Sequence, residues 1–135
     1  MSLKEEERKA LVALYMAKSD EALEDARLCR NQQRWNASAN RLYYALFHAL
    51  TALFVNDGVP VGSHNGAKIR FGKEYVLTGL ATNEEGKLFS QMETMRERAD
   101  YDATFTASEQ LIHERFSAVE QMIEHIRQLM NRGQS

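Results

Sequence analysis

A chain of 135 residues, 44% hydrophobic and 27% charged, is long enough to bury a core without disulfides or metals, and we read residues 1–135 as a single domain. A net charge of -2 and a pI near 6.1 exclude the global basic field of a dedicated duplex-binding protein, so any nucleic-acid contact has to be local. The single cysteine, Cys29, excludes a disulfide framework and a cysteine-built zinc site, and the opening MSLKEEERK lacks an apolar signal core, so the chain is expected to be cytoplasmic.

From about Leu3 to Gln32 nothing breaks a helix, and Leu11, Val12, Tyr15, Ser19, Ala22 and Ala26 fall on one stripe at steps of three and four. Gln33 to Asn36 form a short link, after which Ser38 can cap a second helix. That helix holds the most informative stretch of the chain, Asn40 to Phe54, NRLYYALFHALTALF. At about 100° per residue its apolar residues cover more than half the circumference, which places it between other elements. The remaining arc holds Asn40, Thr51, Tyr44, His48 and Arg41. Asn56-Asp57-Gly58 and then Pro60 stop the helix. The longest apolar run, Leu42 to Val55, is broken by His48 and is shorter than the roughly 20 residues of a membrane span.

Ser63 can cap a helix of roughly Asn65 to Leu77, weakened by Gly66 and Gly72 at about 1 kcal/mol each and held through Ile69, Phe71, Tyr75 and Val76. Thr82 with Glu85 is a capping box opening a helix with Leu88, Phe89, Met92, Met95 and Ala99 on its apolar face. On that helix Arg96 and Asp100 are spaced to pair, while Arg98 points to solvent. Tyr101 to Thr106 read as a loop. Thr106 with Glu109 forms a second box before a long amphipathic helix from Leu111 to Met130, and NRGQS is a frayed end. No stretch alternates like a strand, so the fold class is all-α, an up-and-down four-helix bundle with an additional short helix.

Arg41, Tyr44 and His48, at i, i+3 and i+7, put a guanidinium, a phenol and an imidazole on one line, a set suited to a phosphodiester or nucleotide. The same spacing suits a tyrosine and a histidine satisfied within a helix interface, and Arg96 with Asp100 can be a plain helix-end ion pair. His48, His64, His113 and His125 lack the helical spacing with carboxylates that marks a metal site; His113 and His125 read as surface residues, and neither metal nor cofactor is expected.

The ordered set RLYYALFHA, SHNG, FGKEYV and RERADY resembles the HEPN family, the higher eukaryote and prokaryote nucleotide-binding domain, in the branch with an Arg-x-x-Ala-Asp-Tyr motif. The resemblance spans roughly Leu11 to Leu129. Asn40, Arg41, Tyr43, Tyr44, Phe47 and His48 match its first motif, Ser63, His64 and Gly66 its Ser-His-x-Gly turn, and Arg96, Ala99, Asp100 and Tyr101 its last. It implies a homodimer with the motif-bearing faces meeting in a cleft, and a toxin encoded beside a minimal nucleotidyltransferase. Many members are described as metal-independent ribonucleases that use an arginine followed, after four to six residues, by a histidine. This chain departs there: beyond Arg96 stand Tyr101, Asp102, Ala103 and Thr104, and the next histidine after Arg98 is His113. Tyr101 stands about where the imidazole is expected, and a phenol that titrates near about 10 is a poor base at pH 7. The expected catalytic set is therefore Arg96, His48 and Tyr101, with Asn40, Arg41, Tyr44, Ser63, His64 and Asp100 as ligand-binding residues and a nucleotide or RNA as ligand. The alternative is a non-enzymatic dimeric bundle that binds a nucleotidyltransferase partner. A third use, a methionine-rich dimer surface through Met92, Met95, Met122 and Met130, competes with plain core filling.

Overall fold

The central helix expected from the sequence is α2, Trp35–Asp57, and the other helices pack around it in a computed structural model that describes residues 3–132. Leu42, Leu46, Leu50 and Leu53 are fully buried along α2. Each contributes roughly 1.5–3 kcal/mol by leaving water. α1, Leu3–Asn31, runs antiparallel to α2 after a tight turn in which Gln33 takes a left-handed φ of 60°. Small residues line that contact: Ala22, Ala26, Ala39, Ala45 and Ala49 are buried and let the two backbones approach. Two buried hydroxyls stitch it, Ser19 Oγ donating to the Ala45 carbonyl at 2.7 Å and Ser38 Oγ to the Ala26 carbonyl at 2.9 Å.

Ser38 is therefore not the cap expected of it. α2 starts three residues earlier, at Trp35, with no side-chain cap at Arg34, and the buried Ser38 hydroxyl satisfies a carbonyl of the neighbouring helix instead. At the other end Gly58, with φ 71°, closes α2 as the Asn-Asp-Gly stop predicts, its N–H among those turned back to the last carbonyls.

Ser63 caps α3, His64–Phe71, its hydroxyl accepting from Gly66 N–H at 2.9 Å. The helix expected to run on to Leu77 changes character at Gly72: residues Gly72–Val76 form one π-helical turn, whose closing Leu77 N–H donates to Gly72 O. Phe71 and Tyr75 are buried, whereas Ile69 is half exposed and holds nothing down. α4, Asn83–Tyr101, opens on the complete Thr82–Glu85 capping box and extends through Tyr101, one residue into the expected loop. α5, Glu109–Met130, is capped by Ser108, not Thr106, because the helix begins at Glu109 and Ser108 Oγ is the oxygen within reach of the Leu111 N–H, at 3.1 Å. Gly133 to Ser135 of the expected frayed end lie outside the described residues.

Cross-links fix the helix directions. Asn40 meets Asp100, so α4 runs against α2; Asp57 meets Arg132, so α5 runs with α2; Arg27 meets Glu120 and Asp20 meets Arg127, so α1 runs against α5. The result is an all-α, up-and-down bundle of α1, α2, α4 and α5, with α3 and the π turn spanning the connection between α2 and α4. Met92, Met95 and Met122 are core residues and do not form an outer methionine surface. No helix among the described residues is long and apolar enough to cross a membrane.

Candidate functional site

Tyr44 is the hub of the polar side of α2. The guanidinium carbons of Arg41 and Arg96 lie 5.3 Å and 5.9 Å from its ring centre, and the rings of His48 and His64 each lie 6.1 Å away. Three elements meet there: Arg41, Tyr44 and His48 come from α2, Arg96 from α4, and His64 from the first residue of α3. Asn40 ties α2 to α4, its side-chain N–H donating to Asp100 Oδ2 at 3.0 Å while its oxygen accepts from Arg41 Nε and Nη2 at 2.9 and 2.7 Å.

Arg96 is the unusual member. Its side chain is 11% exposed, and it lies over the Tyr43 ring at 5.1 Å. Its carboxylate neighbours are distant, Asp100 at 3.7 Å and Glu97 at 4.0 Å, beyond the length of a good charged hydrogen bond. Its Nε is buried with no hydrogen-bond partner. A buried guanidinium held this loosely is costly, and much of its positive potential remains available to an anion.

His48 Nδ1 is likewise buried and without a partner. Burial lowers the pKa of this imidazole, and the positive charges of Lys18 and Arg41, with His64 nearby, lower it further. The ring is therefore neutral at pH 7, with one nitrogen able to accept a proton or a hydrogen bond.

His64 is held on two sides. Phe47 stacks on it at 4.2 Å with the rings 7° from parallel, and its Nδ1 lies 2.6 Å from the Tyr43 hydroxyl. Burial and the Glu93 carboxylate push the Tyr43 phenol far above its ordinary pKa, against the pull of Arg96. A phenol that keeps its proton next to Nδ1 favours the His64 tautomer with its hydrogen on Nε2.

The structure thus brings together Asn40, Arg41, Tyr44, His48, His64, Arg96 and Asp100. It does not bring Tyr101 to them. Tyr101 is the last residue of α4 and 81% exposed, because the helix carries it past the groove and into solvent. Ser63 Oγ accepts the capping bond of α3, which positions His64 and leaves the hydroxyl proton free to donate. Tyr43 and Tyr15 were not expected as site residues. Tyr43 sits on the apolar arc of α2, and only the fold shows its hydroxyl reaching His64; Tyr15 lies on the apolar stripe of α1 and stacks on His48 at 6.4 Å. Among the other histidines, His113 is exposed as expected, whereas His125 is half-buried, its Nδ1 2.7 Å from Glu85 Oε2. Among the described residues no group of three or more His, Cys, Asp or Glu is placed to hold a metal ion.

A model of the HEPN domain matches residues 12–131, which takes in every helix that builds the groove. The chain belongs to the HEPN family. It is similar to the UPF0332 protein of Thermotoga maritima, 28% identical over 92% of this chain and 94% of that one. Two proteins of Methanocaldococcus jannaschii that carry the name "putative toxin" are also similar. One is 28% identical over 64% of this chain and 59% of its own length; the other is 24% identical over 93% of this chain and 92% of its own. In this HEPN chain the residues of the Asn-Arg-x-Tyr-Tyr run and of the Arg-Glu-Arg-Ala-Asp run meet across α2 and α4, with both Arg41 and Arg96 against the Tyr44 ring.

Proposed function

We propose that this HEPN protein is the toxin-like member of a two-protein system and that its Tyr44-centred groove binds a nucleotide or an RNA backbone. One observation carries the reading: Arg96 is nearly buried, lacks a close carboxylate, and keeps an unpartnered Nε beside a second guanidinium on the same tyrosine. Each guanidinium can fork onto phosphate oxygens, and both lie against the one Tyr44 ring. Asn40 holds Arg41 and reaches across to Asp100 of α4, and the Arg41 and Arg96 guanidinium groups supply the positive charge that a phosphate would meet.

Placement in the branch with the Arg-x-x-Ala-Asp-Tyr motif belongs to this proposal, and so does a minimal nucleotidyltransferase as partner. The toxin names of two relatives support it, as does the habit of such HEPN proteins of being encoded beside that enzyme. A homodimer would bring a second groove alongside the first, and the exposure of Tyr101 at the end of α4 is compatible with its meeting a partner surface.

Cleavage is the finer question. Tyr101 replaces the usual histidine, so a metal-free ribonuclease step would draw its base from His48, neutral at pH 7, with Arg96 stabilising the charge on phosphorus. The 2′-hydroxyl would then be the nucleophile, so RNA methylated there resists cleavage and a chelator has no effect. The missing histidine favours a second reading, in which the groove binds without cutting and serves recognition of the nucleotidyltransferase partner.

The test is a melting-temperature titration with nucleotides and short RNA, repeated with Arg96→Ala and His48→Ala, since a ligand of the native state raises the midpoint. The first reading expects a rise for wild type that either substitution abolishes. No rise at millimolar ligand supports the partner-binding reading, and a rise that survives both substitutions contradicts this choice of groove.

A further inference from the structure

A cavity of about 640 Å³ that His48 and His64 help to line opens between α1, α2 and the loop that leads to α3. Its volume is within the roughly 300–1,000 Å³ of small-molecule sites. Its walls are aromatic and aliphatic: Tyr15 from α1, Phe47 and Phe54 from α2, and Val59, Pro60 and Val61 from the loop. No Asp, Glu, Lys or Arg lines it. The charged side chains gather elsewhere around His48. Arg41 and Arg96 stand at Tyr44, and a small polar cleft of about 130 Å³ holds Lys18, Glu21, Asp25 and Arg41.

That separation decides what the cavity can take. A phosphate or carboxylate would lose its hydration there with no cation in the wall to replace it, whereas an uncharged planar ring would gain stacking partners. His48 and His64 line the cavity and also flank the Tyr44 hub, so one ligand can occupy both regions. The cavity also has polar handles. Thr51 Oγ1, which donates to Phe47 O at 2.9 Å, keeps its acceptor capacity, and Ser63 Oγ, which accepts from Gly66 N–H at 2.9 Å, keeps its proton to donate.

We propose that this uncharged aromatic cavity is a nucleobase site. The base stacks against Tyr15 or Phe47 and presents its polar edge to Thr51 and Ser63, and its ribose and phosphate lead out past His48 toward Arg41 and Arg96. This rests on the reading of the groove as a phosphate-binding site, but the two are separable, because a nucleoside has the base and no phosphate. The base can come from a free nucleotide or from one unstacked position of an RNA strand.

The experiment is a calorimetric titration of the full chain with the four ribonucleosides, the matching 5′-monophosphates, ribose 5-phosphate, and a short oligoribonucleotide with and without one abasic position. The variants are Tyr15→Ala, Val61→Trp, which puts an indole from an exposed loop position into the cavity, and Arg96→Ala; the melting curve of each establishes that it folds. At least one nucleoside should bind wild type and Arg96→Ala alike, and bind about tenfold more weakly to Tyr15→Ala, the loss expected for one stacking partner. Val61→Trp should remove nucleoside binding while ribose 5-phosphate, held by the arginines, still binds. Monophosphates at least as tight as the oligomer assign a free nucleotide as the source; an oligomer that binds tighter and loses affinity at its abasic position assigns RNA.

If monophosphates bind with an affinity that Tyr15→Ala and Val61→Trp leave unchanged and nucleosides do not bind, the base site is wrong and the phosphate groove stands. If nucleosides bind as described while Arg96→Ala changes nothing for any phosphate ligand, the base site stands and the groove reading fails. If no ligand binds, both are overturned.

Discussion

Two polar clusters sit on α2, and they differ in one respect that separates architecture from chemistry. At the C-terminal end, Asp57 accepts from the Tyr75 hydroxyl at 2.6 Å and from Arg132 Nη2 at 2.7 Å, and its other oxygen accepts from the Asn56 amide at 2.9 Å. That cluster locks the π turn and the end of α5 onto α2. Around Tyr44 the cluster is just as crowded, but Arg96 Nε and His48 Nδ1 are buried with nothing to bond. A fold gains nothing from burying an unsatisfied polar group, which costs about 1–3 kcal/mol, so satisfaction marks the first cluster as structural, and the unmet groups set the second apart as the candidate site.

The comparison breaks first, and by the largest effect, at Arg96. Arg96→Met should weaken binding of a nucleotide or short RNA by about tenfold to a hundredfold, the loss of a charged hydrogen-bonding partner. It should also change unfolding free energy by less than about 1 kcal/mol, because an apolar replacement removes the burial cost of the charge as well as its weak ion pair. Calorimetric titration and urea unfolding read the two numbers, and a large stability loss with unchanged affinity would make the groove structural. Asp57→Ala should show the reverse, a loss of about 2 kcal/mol in urea unfolding with ligand affinity intact, since it strands the Tyr75 hydroxyl and Arg132.

The two clusters also part in their pH dependence. Burial alone would raise the Asp57 pKa, but hydrogen bonds from Tyr75, Arg132 and Asn56 outweigh it and hold the carboxyl below its ordinary range. Its folded value is depressed, so its contribution to stability is whole above about pH 4 and is lost as pH falls through the folded value. His48 acts at higher pH. With a folded pKa below the ordinary histidine value of 6.5, the folded state resists protonation, so stability falls as pH drops from about 6.5 toward the folded value and is level above. Unfolding midpoints between pH 5 and 8 should therefore slope upward in wild type and flatten in His48→Gln, and an unchanged slope would place the titration elsewhere. The smallest effect belongs to Tyr101→Phe, which should alter neither stability by more than about 0.5 kcal/mol nor nucleotide affinity, because the side chain is solvent-exposed. A fall in RNA cleavage in that variant would return Tyr101 to the catalytic set.

Much of this was legible in the residues themselves. The apolar arc of α2, the glycine stop at Gly58 and the Thr82–Glu85 box follow from local rules, and the structure keeps all three. The spacing of Arg41, Tyr44 and His48, and of Arg96 and Asp100, put each group on one helix face. What spacing could not supply was the third dimension. Ser38 obeys the local chemistry of a cap, yet a tertiary carbonyl at Ala26 claims its hydroxyl. Tyr43 reads as core because its ring is buried, and Tyr15 reads as part of the apolar stripe of α1; only the Tyr43 hydroxyl at His64 and the Tyr15 ring stacked on His48 give them a part in the site. The motif implies a catalytic place for Tyr101, and its exposure in the single chain, at the last residue of α4, is a feature that spacing alone does not give.

The most direct measurement follows side-chain NMR signals during titration with a short RNA methylated at every 2′-hydroxyl, so that binding is seen without cleavage. The account predicts that the Arg96 Nε–H resonance and the His48 ring signals move together with one saturation curve, while the Arg132 Nε–H resonance stays in place. Movement of Arg132 with a silent Arg96 and His48 would contradict it.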